Sequence, residues 1–416
     1  MAFGEHTSKE IIGTKSEELI GKKIILCITG SVAAIKSTEI ARELMRRGAE
    51  VYAVMSMHSQ QIVHPDMVEW ATGNPVVTQL TGQIEHVTYA GEHSLRADLI
   101  LVAPSTANTI GKVACGIDDT PVTTTLTTGI GAGIPVIIAP AMHASMYKHS
   151  IVLENIDKLQ KHGIEVLMPR FEEGKAKIPG TAEIVHAVIV KLNVKKDLVG
   201  KRVLVTGGPT RAYLDAFRYI TNPSSGKMGV ALAQNALDRG AEVTLVYGPG
   251  SAKPPVGVKV INIMGTDDML EAVQGELGSK KYDTAILSAA AADYGASDRK
   301  MNKTPSGKDV WTIELKPLPK VIENVKKVDA DVFLVGFKAE YDLTNEELIQ
   351  RSYDRMVVAG MDLIVANDVA RKNAGFGTDT NEVFIIDTEK QVKHVIIASK
   401  YDVASKILDK ILEALS

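Results

Sequence analysis

Small hydroxyl, amide and imidazole side chains recur just past short apolar runs of this chain. A ligand would meet the end of a strand there. Gly30 and Ser31 follow the run 24–29, and backbone N–H groups of such a turn can cradle one phosphate at a helix start. Ser56 stands in the same relation to the run 50–55. Pro104, Ser105, Thr106 and Asn108 follow the run 99–103, at the carboxyl end of a central strand, where open α/β sheets bind ligands. Thr123 lies in a hydroxyl-rich stretch, and Met142, His143 and Met146 follow the run 136–139 as apolar groups with a polar tip among them. His86 and His93 are the nearby imidazoles suited to general-base work near neutral pH. By residue type alone, both read as ordinary surface or core histidines.

The second half carries a different set. Ser224, Ser225 and Gly226 precede a helical stretch opened by Lys227. Lys227 is followed by Met, so this is no G-x-x-x-x-G-K-[ST] loop, and a single-phosphate cradle remains. Ala289, Ala290 and Ala291 end a strand with side chains small enough for a nucleotide to approach closely, and Asp293 is in reach of Mg²⁺ or a base edge. Lys300 and Lys303 follow; composition alone makes them a solvated pair.

The elements that must position these groups form a repeating pattern. Apolar runs at 24–29, 50–55, 99–103 and 136–139 are separated by helical stretches, the first at 38–47. The pattern restarts with runs at 202–206, 242–247, 258–263, 284–288, 332–337 and 363–366, a helix at 228–239, a hairpin of 382–387 with 392–397, and a last helix at 403–415. Runs without polar alternation, separated by helices, predict a mostly parallel sheet covered on both faces. Arg47-Gly48-Ala49-Glu50-Val51 recurs as Arg239-Gly240-Ala241-Glu242-Val243. The fold class is therefore α/β, with two doubly wound, Rossmann-like domains at 23–196 and 197–416 behind a polar N-terminal extension, 1–22.

Composition narrows the function. The 416 residues carry 47 Lys+Arg against 50 Asp+Glu, a net charge of −3, which argues against a nonspecific nucleic-acid binder. No apolar run reaches the roughly 18 residues of a membrane span, and the opening residues lack the apolar core of a secretory signal. Two cysteines, Cys27 and Cys115, allow no disulfide framework and read as buried, reduced thiols of an intracellular protein.

Taken together, these motifs resemble the bifunctional phosphopantothenoylcysteine decarboxylase/phosphopantothenate–cysteine ligases of coenzyme A biosynthesis, archaeal-type members above all. The resemblance runs from about residue 21 to the end and rests most on S-S-G-K-M-G at 224–229. It implies a flavodoxin-like first domain binding FMN through Gly30, Ser31, Ser56, Pro104, Ser105, Thr106, Asn108, Thr123 and Met142. His86 corresponds to the family's catalytic histidine. His143 and Met146 fall on the substrate motif, with His143 where the family usually has Asn. The family's flap stretch corresponds to 169–177 and contains no Cys here, so Lys175 and Lys177 are expected to clamp the substrate instead. Oxidising the cysteinyl thiol creates the electron sink that lets CO₂ leave as an ene-thiolate forms, and the flavin accepts and later returns two electrons.

In the second domain the resemblance implies a CTP-driven ligase. Ser224, Ser225, Gly226 and Lys227 hold 4′-phosphopantothenate. Ala289, Ala290, Ala291, Asp293, Lys303, Pro319, Lys320, Val321, Ile322, Phe337 and Arg355 meet the nucleotide, with Asp293 on Mg²⁺. Lys303, Lys300 and Asn222 carry the chemistry. A cytoplasmic homo-oligomer follows as well, trimeric through the flavin domains and dimeric through the ligase domains, touching neither nucleic acid nor membrane. A different flavoprotein decarboxylase, a flavin prenyltransferase, and a non-catalytic flavoprotein subunit are the alternatives.

Overall fold

The computed structural model describes residues 6–305 and 310–415, and the chain falls into two compact units, Met1–Val194 and Lys195–Ser416. The division comes two residues before the expected one. Lys196 donates to the Asp238 carbonyl at 2.5 Å and Asp197 grips the Arg239 guanidinium at 2.8 and 2.9 Å, so both residues belong to the second unit.

The strands of the first unit, in chain order, are β1 (Lys23–Ile28), β2 (Glu50–Met55), β3 (Leu99–Ser105), β4 (Val136–Pro140), β5 (Met142–His143), β6 (Glu165–Val166), β7 (Arg170–Glu172) and β8 (Lys175–Lys177). Five of them pair in the parallel order β2-β1-β3-β4-β6. The apolar runs are continuous because both faces are covered. Ile24, Leu26 and Ile28 point into one core with helices Ser37–Arg46 and Thr181–Asn193, while Ile25 and Cys27 point into the other, with Ile110 and Leu126. The short strands β5, β8 and β7 form a separate antiparallel sheet.

Two expectations fail here. Residues 6–22 are no extension: Leu19 is fully buried beside Ile40 and Leu44, and Lys9, in the short helix Thr7–Ile11, bonds Glu50 at 3.0 Å. Residues 1–5 of the expected extension and Ser416 at the chain end lie outside the described residues. Cys27 is buried, which pushes its thiol pKa up, but Cys115 is exposed because it ends helix Ala107–Cys115 just before the left-handed Gly116.

The second unit adds β9 (Arg202–Gly207), β10 (Arg211–Tyr213), β11 (Tyr219–Thr221), β12 (Glu242–Tyr247), β13 (Lys259–Asn262), β14 (Thr284–Leu287), β15 (Tyr294–Ala296), β16 (Leu315–Pro317), β17 (Phe333–Glu340), β18 (Leu363–Asp368), β19 (Thr380–Asp387) and β20 (Val392–Ser399). Its eight-stranded sheet runs β13-β12-β9-β14-β17-β18-β19-β20, parallel until the antiparallel β19 and β20. Helices Lys227–Asp238 and Lys400–Leu415 cover one face; Thr266–Ser279, Ile322–Val328 and Asn345–Ala359 cover the other. In each unit the strand order reverses beside the first strand, between β1 and β3 and between β9 and β14. The crevice at the carboxyl ends of such a pair is where doubly wound sheets hold ligands.

Helix Ser37–Arg46 is fastened by Glu43, whose carboxylate accepts from Arg47 and Arg46 at 2.7 Å and from Lys15 at 3.0 Å. These bonds, Arg47's first, hold its pKa down at about 2. A carboxyl depressed in the folded state stabilises above its ordinary value and loses that contribution as pH falls toward the folded one. Glu43→Gln is therefore expected to cost about 1 kcal/mol at pH 7 and to flatten the stability loss between pH 4.5 and 2. Urea unfolding of the first unit, followed through Trp70 in a Trp311→Phe background, measures both.

Candidate functional sites at the strand ends

In the first unit the loops after β1, β2 and β3 converge. Thr29 ties two of them, donating to the Pro104 carbonyl at 2.9 Å and accepting from the Thr106 amide at 3.1 Å. Gly30 has no room for a side chain, since a Cβ there would sit 2.6 Å from His58 Cβ. Ser31 and Ser56 each cap a short helix, and the Thr106 hydroxyl caps Ala107–Cys115 by accepting from the Thr109 amide. Asn108 is exposed on the first turn of that helix. Ser105 is fully buried, and its Oγ lacks a hydrogen-bond partner. Thr123 has a local task instead: buried, it closes a capping box with Thr120 and accepts from the amides of Asp119 and Thr120. Its hydroxyl is thereby used within the helix cap.

His86 lies in helix Glu85–Ala90, and its Nδ1 is buried without a partner. His93 differs: it is exposed, and its Nδ1 accepts from the Leu95 amide at 3.1 Å. A buried polar atom left unmatched is uncommon in native folds. His86 Nδ1 and Ser105 Oγ are two such atoms in the unit whose strand-end loops leave Gly30 no room for a side chain. This donor set fits a cofactor bearing a phosphate and polar ring atoms.

The small antiparallel sheet carries the expected substrate groups. Met142 is half-buried and Met146 exposed. His143 pairs in register with Lys175, and its Nδ1 accepts from the Ser145 amide at 3.3 Å. In the neutral ring the proton is then on Nε2, a donor. Lys177 is engaged by Glu172 and Glu173, at 3.2 and 2.9 Å, and the two carboxylates raise its pKa. Of the two expected clamp lysines, Lys175 is the one that stands across from His143.

The second unit holds a cavity of about 580 Å³ at the β9/β14 crevice, within the usual range for ligand sites. Ser224, Ser225, Gly226 and Lys227 line one side, with Gly226 at φ +80° opening helix Lys227–Asp238. Ala289, Ala290, Ala291 and Asp293 form the floor. The floor is anchored where Thr210 Oγ1 accepts from the Ala292 amide at 2.7 Å. Asn222 joins the two sides, donating its amide N–H groups to the carbonyls of Ala290 and Ala291 at 3.2 and 3.1 Å. Pro319, Lys320, Val321, Ile322, Phe337 and Arg355 complete the wall. Lys320 is ion-paired with Asp293, and Arg355 with Glu323 at 2.8 Å.

Lys300 and Lys303 do not line this cavity. The cause is Asp215, a fully buried carboxylate. Burial would raise its pKa, but the amides of Arg218, Phe217 and Thr304 and the Arg218 guanidinium hold it well below the carboxylate range. The segment is thereby docked on the 214–218 turn: the Lys300 amide bonds the Leu214 carbonyl, its ammonium pairs with Asp298, and Lys303 sits 5.4 Å over the Phe217 ring. Asp293 also stands without further acidic ligands. Among the described residues, no three His, Cys, Asp or Glu side chains gather to hold a metal.

Sequence reasoning missed Lys338, Asn381, Lys400 and the stretch Gly375–Gly377, all of which line the cavity. The Gly-Phe-Gly turn at 375–377 was a legible signal. Lys400 was not, because only the pairing of β18, β19 and β20 brings it beside Ser224–Lys227.

The family model described as the DNA/pantothenate metabolism flavoprotein C-terminal domain matches residues 198–415, and the model described as flavoprotein matches residues 12–193. The coenzyme A biosynthesis bifunctional protein CoaBC of Thermococcus kodakarensis is 52% identical over 408 residues, covering 98% of both chains. Its namesake in Methanocaldococcus jannaschii is 37% identical over 98% of this chain and 97% of its own. A crystal structure of the C-terminal domain of a CoaBC protein covers 53% of this chain and 98% of its own, at 32% identity and TM-score 0.45. With both halves matched in order and a relative 52% identical almost end to end, this chain belongs to the family of bifunctional coenzyme A biosynthesis proteins.

Proposed function

We propose that the second unit ligates 4′-phosphopantothenate to cysteine at the expense of CTP, and that the first unit decarboxylates the product to 4′-phosphopantetheine with FMN as its resident cofactor. The observation that carries the ligase reading is the single cavity walled by the Ser224–Lys227 cradle, the Ala289–Asp293 floor and the Pro319–Ile322 turn. The carboxylate of phosphopantothenate attacks the α-phosphorus of CTP, expelling pyrophosphate and leaving an acyl-cytidylate. The cysteine amine then attacks the acyl carbon, CMP departs, and the amine gives up a proton. Cations around the phosphates oppose the charge that builds in the first step. Lys320 is the nearest expected one, released from Asp293 as the nucleotide enters. A Mg²⁺ would arrive on the triphosphate and find one carboxylate, Asp293.

In the first unit, FMN when bound would supply a two-electron acceptor for the cysteinyl thiol, opening the route for CO₂ to leave, and would return both electrons to give the saturated thiol. Gly30, Ser31, Ser56, Ser105 and Thr106 would hold it. His86 takes the thiol proton, and His143 Nε2–H with the Lys175 ammonium orients the substrate carboxylate. His143 thus serves where the family usually has an amide, since its Nε2–H can supply one of the amide's N–H donors.

The trimeric and dimeric association expected of the family in the cytoplasm gives Lys300 and Lys303 a target, the cavity of a second copy. Three outcomes follow. His86→Asn lowers CO₂ release by about 10²–10⁴-fold while phosphopantothenoylcysteine still forms at the normal rate. Asn222→Asp sets a carboxylate against two carbonyls, so ligation drops by at least about tenfold; unchanged ligation would remove Asn222 from the site. Finally, Lys303→Ala and Asn222→Asp proteins, each impaired alone, regain ligase activity when mixed and allowed to exchange subunits. Failure to regain it means the site is not shared.

A further inference from the structure

Lys400 opens the last helix, Lys400–Leu415, and only 7% of it is exposed, yet it lines the cavity of the second unit. Its ammonium donates to the carbonyls of Thr378 and Gly375, at 2.5 and 3.2 Å, and its amide bonds the Asp379 carbonyl at 3.0 Å. Lys227 holds the same loop. Its ammonium donates to the Gly377 carbonyl at 2.8 Å and the Asp379 carboxylate at 2.7 Å. Two lysines, 173 positions apart in sequence, therefore hold one stretch of five residues. Within it, Gly375, Phe376 and Gly377 are cavity wall.

We propose that Lys400 is a positioning residue of the ligase site: with Lys227 it clips the Gly375–Asp379 loop down as a wall of the cavity, and it turns its remaining N–H toward the phosphate of the bound substrate. An ammonium has three donors, and the loop carbonyls take two. Desolvation makes an ammonium costly where a neutral side chain would pack, so a buried lysine needs a compensating task. Two carbonyls and an anionic ligand supply it.

The clip depends on charge, and the charge depends on pH. Burial first, then the like charge of Lys227, brings the Lys400 amine down to about 8, while Asp379 pushes it back up. Among the described residues, those two are the charged groups that act on it from neighbouring elements; on its own helix Asp402 accepts from the Ser399 hydroxyl. Lys400 is thus charged below about pH 8 and neutral above it. Grip on loop and substrate weakens as pH rises through that value.

The inference rests on the ligase reading for its ligand, but the clip is testable without any ligand. Hydrogen exchange in the ligand-free full chain at pH 7 is expected to speed up by about tenfold at amides 376–379 in Lys400→Met, and to stay near wild type in Lys400→Arg. With CTP and cysteine saturating, KM for 4′-phosphopantothenate is expected to rise about tenfold or more in Lys400→Met, with kcat changed less than twofold. In wild type that KM climbs between pH 7 and 9; in Lys400→Arg, whose guanidinium stays charged, it does not. Asp379→Asn, at an exposed position that leaves the fold intact, removes the offsetting carboxylate and moves the wild-type midpoint to lower pH. Unchanged exchange at 376–379 in Lys400→Met overturns the clip. A pH profile of KM identical in wild type, Lys400→Arg and Asp379→Asn overturns the role toward substrate. Wild-type protein that forms no phosphopantothenoylcysteine overturns the ligase reading instead, and exchange at the loop then still decides the clip.

Discussion

Helix Lys227–Asp238 lies on β9 only because two residues there carry no side chain. A Cβ at Gly229 would come within 2.7 Å of Gly207 Cα, and one at Gly207 within 3.2 Å of Gly229 Cα. Backbone meets backbone, and the helix axis drops toward the sheet. Its N-terminus, with the unpaired amides that begin any helix, is thereby brought to the rim of the β9/β14 crevice. The rest of the site is organised around that end. Asn222 bonds the preceding segment to the Ala290 and Ala291 carbonyls, and Lys227 reaches from the first turn to Asp379. Any side chain at 229 lifts the cradle away from the floor it faces.

The first unit solves the same positioning problem without such a contact. Its loops are held by hydroxyls: Thr29 bridges the ends of β1 and β3, and Thr106 caps the helix after β3. Ser105 Oγ and His86 Nδ1, two of the buried polar atoms without partners among the described residues, belong to this hydroxyl-rich unit. One unit is thus rigid by backbone packing and offers amides. The other is rigid by side-chain bonding and offers a buried hydroxyl and an imidazole. The difference suits a polyanion in the second and a flat, partly apolar ring system in the first.

Much of this was legible in the sequence because fully buried parallel strands advertise themselves. The runs at 24–29, 99–103, 202–206 and 284–288 overlap β1, β3, β9 and β14, and the small polar residues after them do sit at the crevices. Four things were hidden. Residues 6–22 look polar overall, yet Leu19, with Ile11 and Ile12 packed beside the same cluster, seats them in the core. Thr123 and Lys177 have suitable chemistry, but local partners three to five residues away claim it, and residue type does not reveal such competition. The family resemblance pointed to Lys300 and Lys303, whereas the buried Asp215 fixes where that segment lies. Long-range pairing, as of β19 with β18, leaves no local trace, which is why Lys400 went unread.

The chain carries a net charge of −3, yet the proposed ligase reaction brings phosphates to its second unit. The cavity resolves this. Each basic side chain that lines it has an oxygen partner within the chain: Lys227 has Asp379, Lys320 has Asp293, Lys338 has Glu340, Arg355 has Glu323, and Lys400 has two loop carbonyls. Self-pairing keeps the ligand-free cavity from carrying uncompensated charge, which would cost stability wherever water is scarce. It also means that, the remaining N–H of Lys400 aside, a polyanion would enter by exchanging partners rather than by filling a bare positive field. Small anions gain little from such an exchange, because one of them displaces one carboxylate. A substrate bearing several phosphates, or two substrates side by side, displaces several at once and recovers the cost of each separation. On the proposed reaction, such an arrangement would favour the whole reacting pair over any single phosphate.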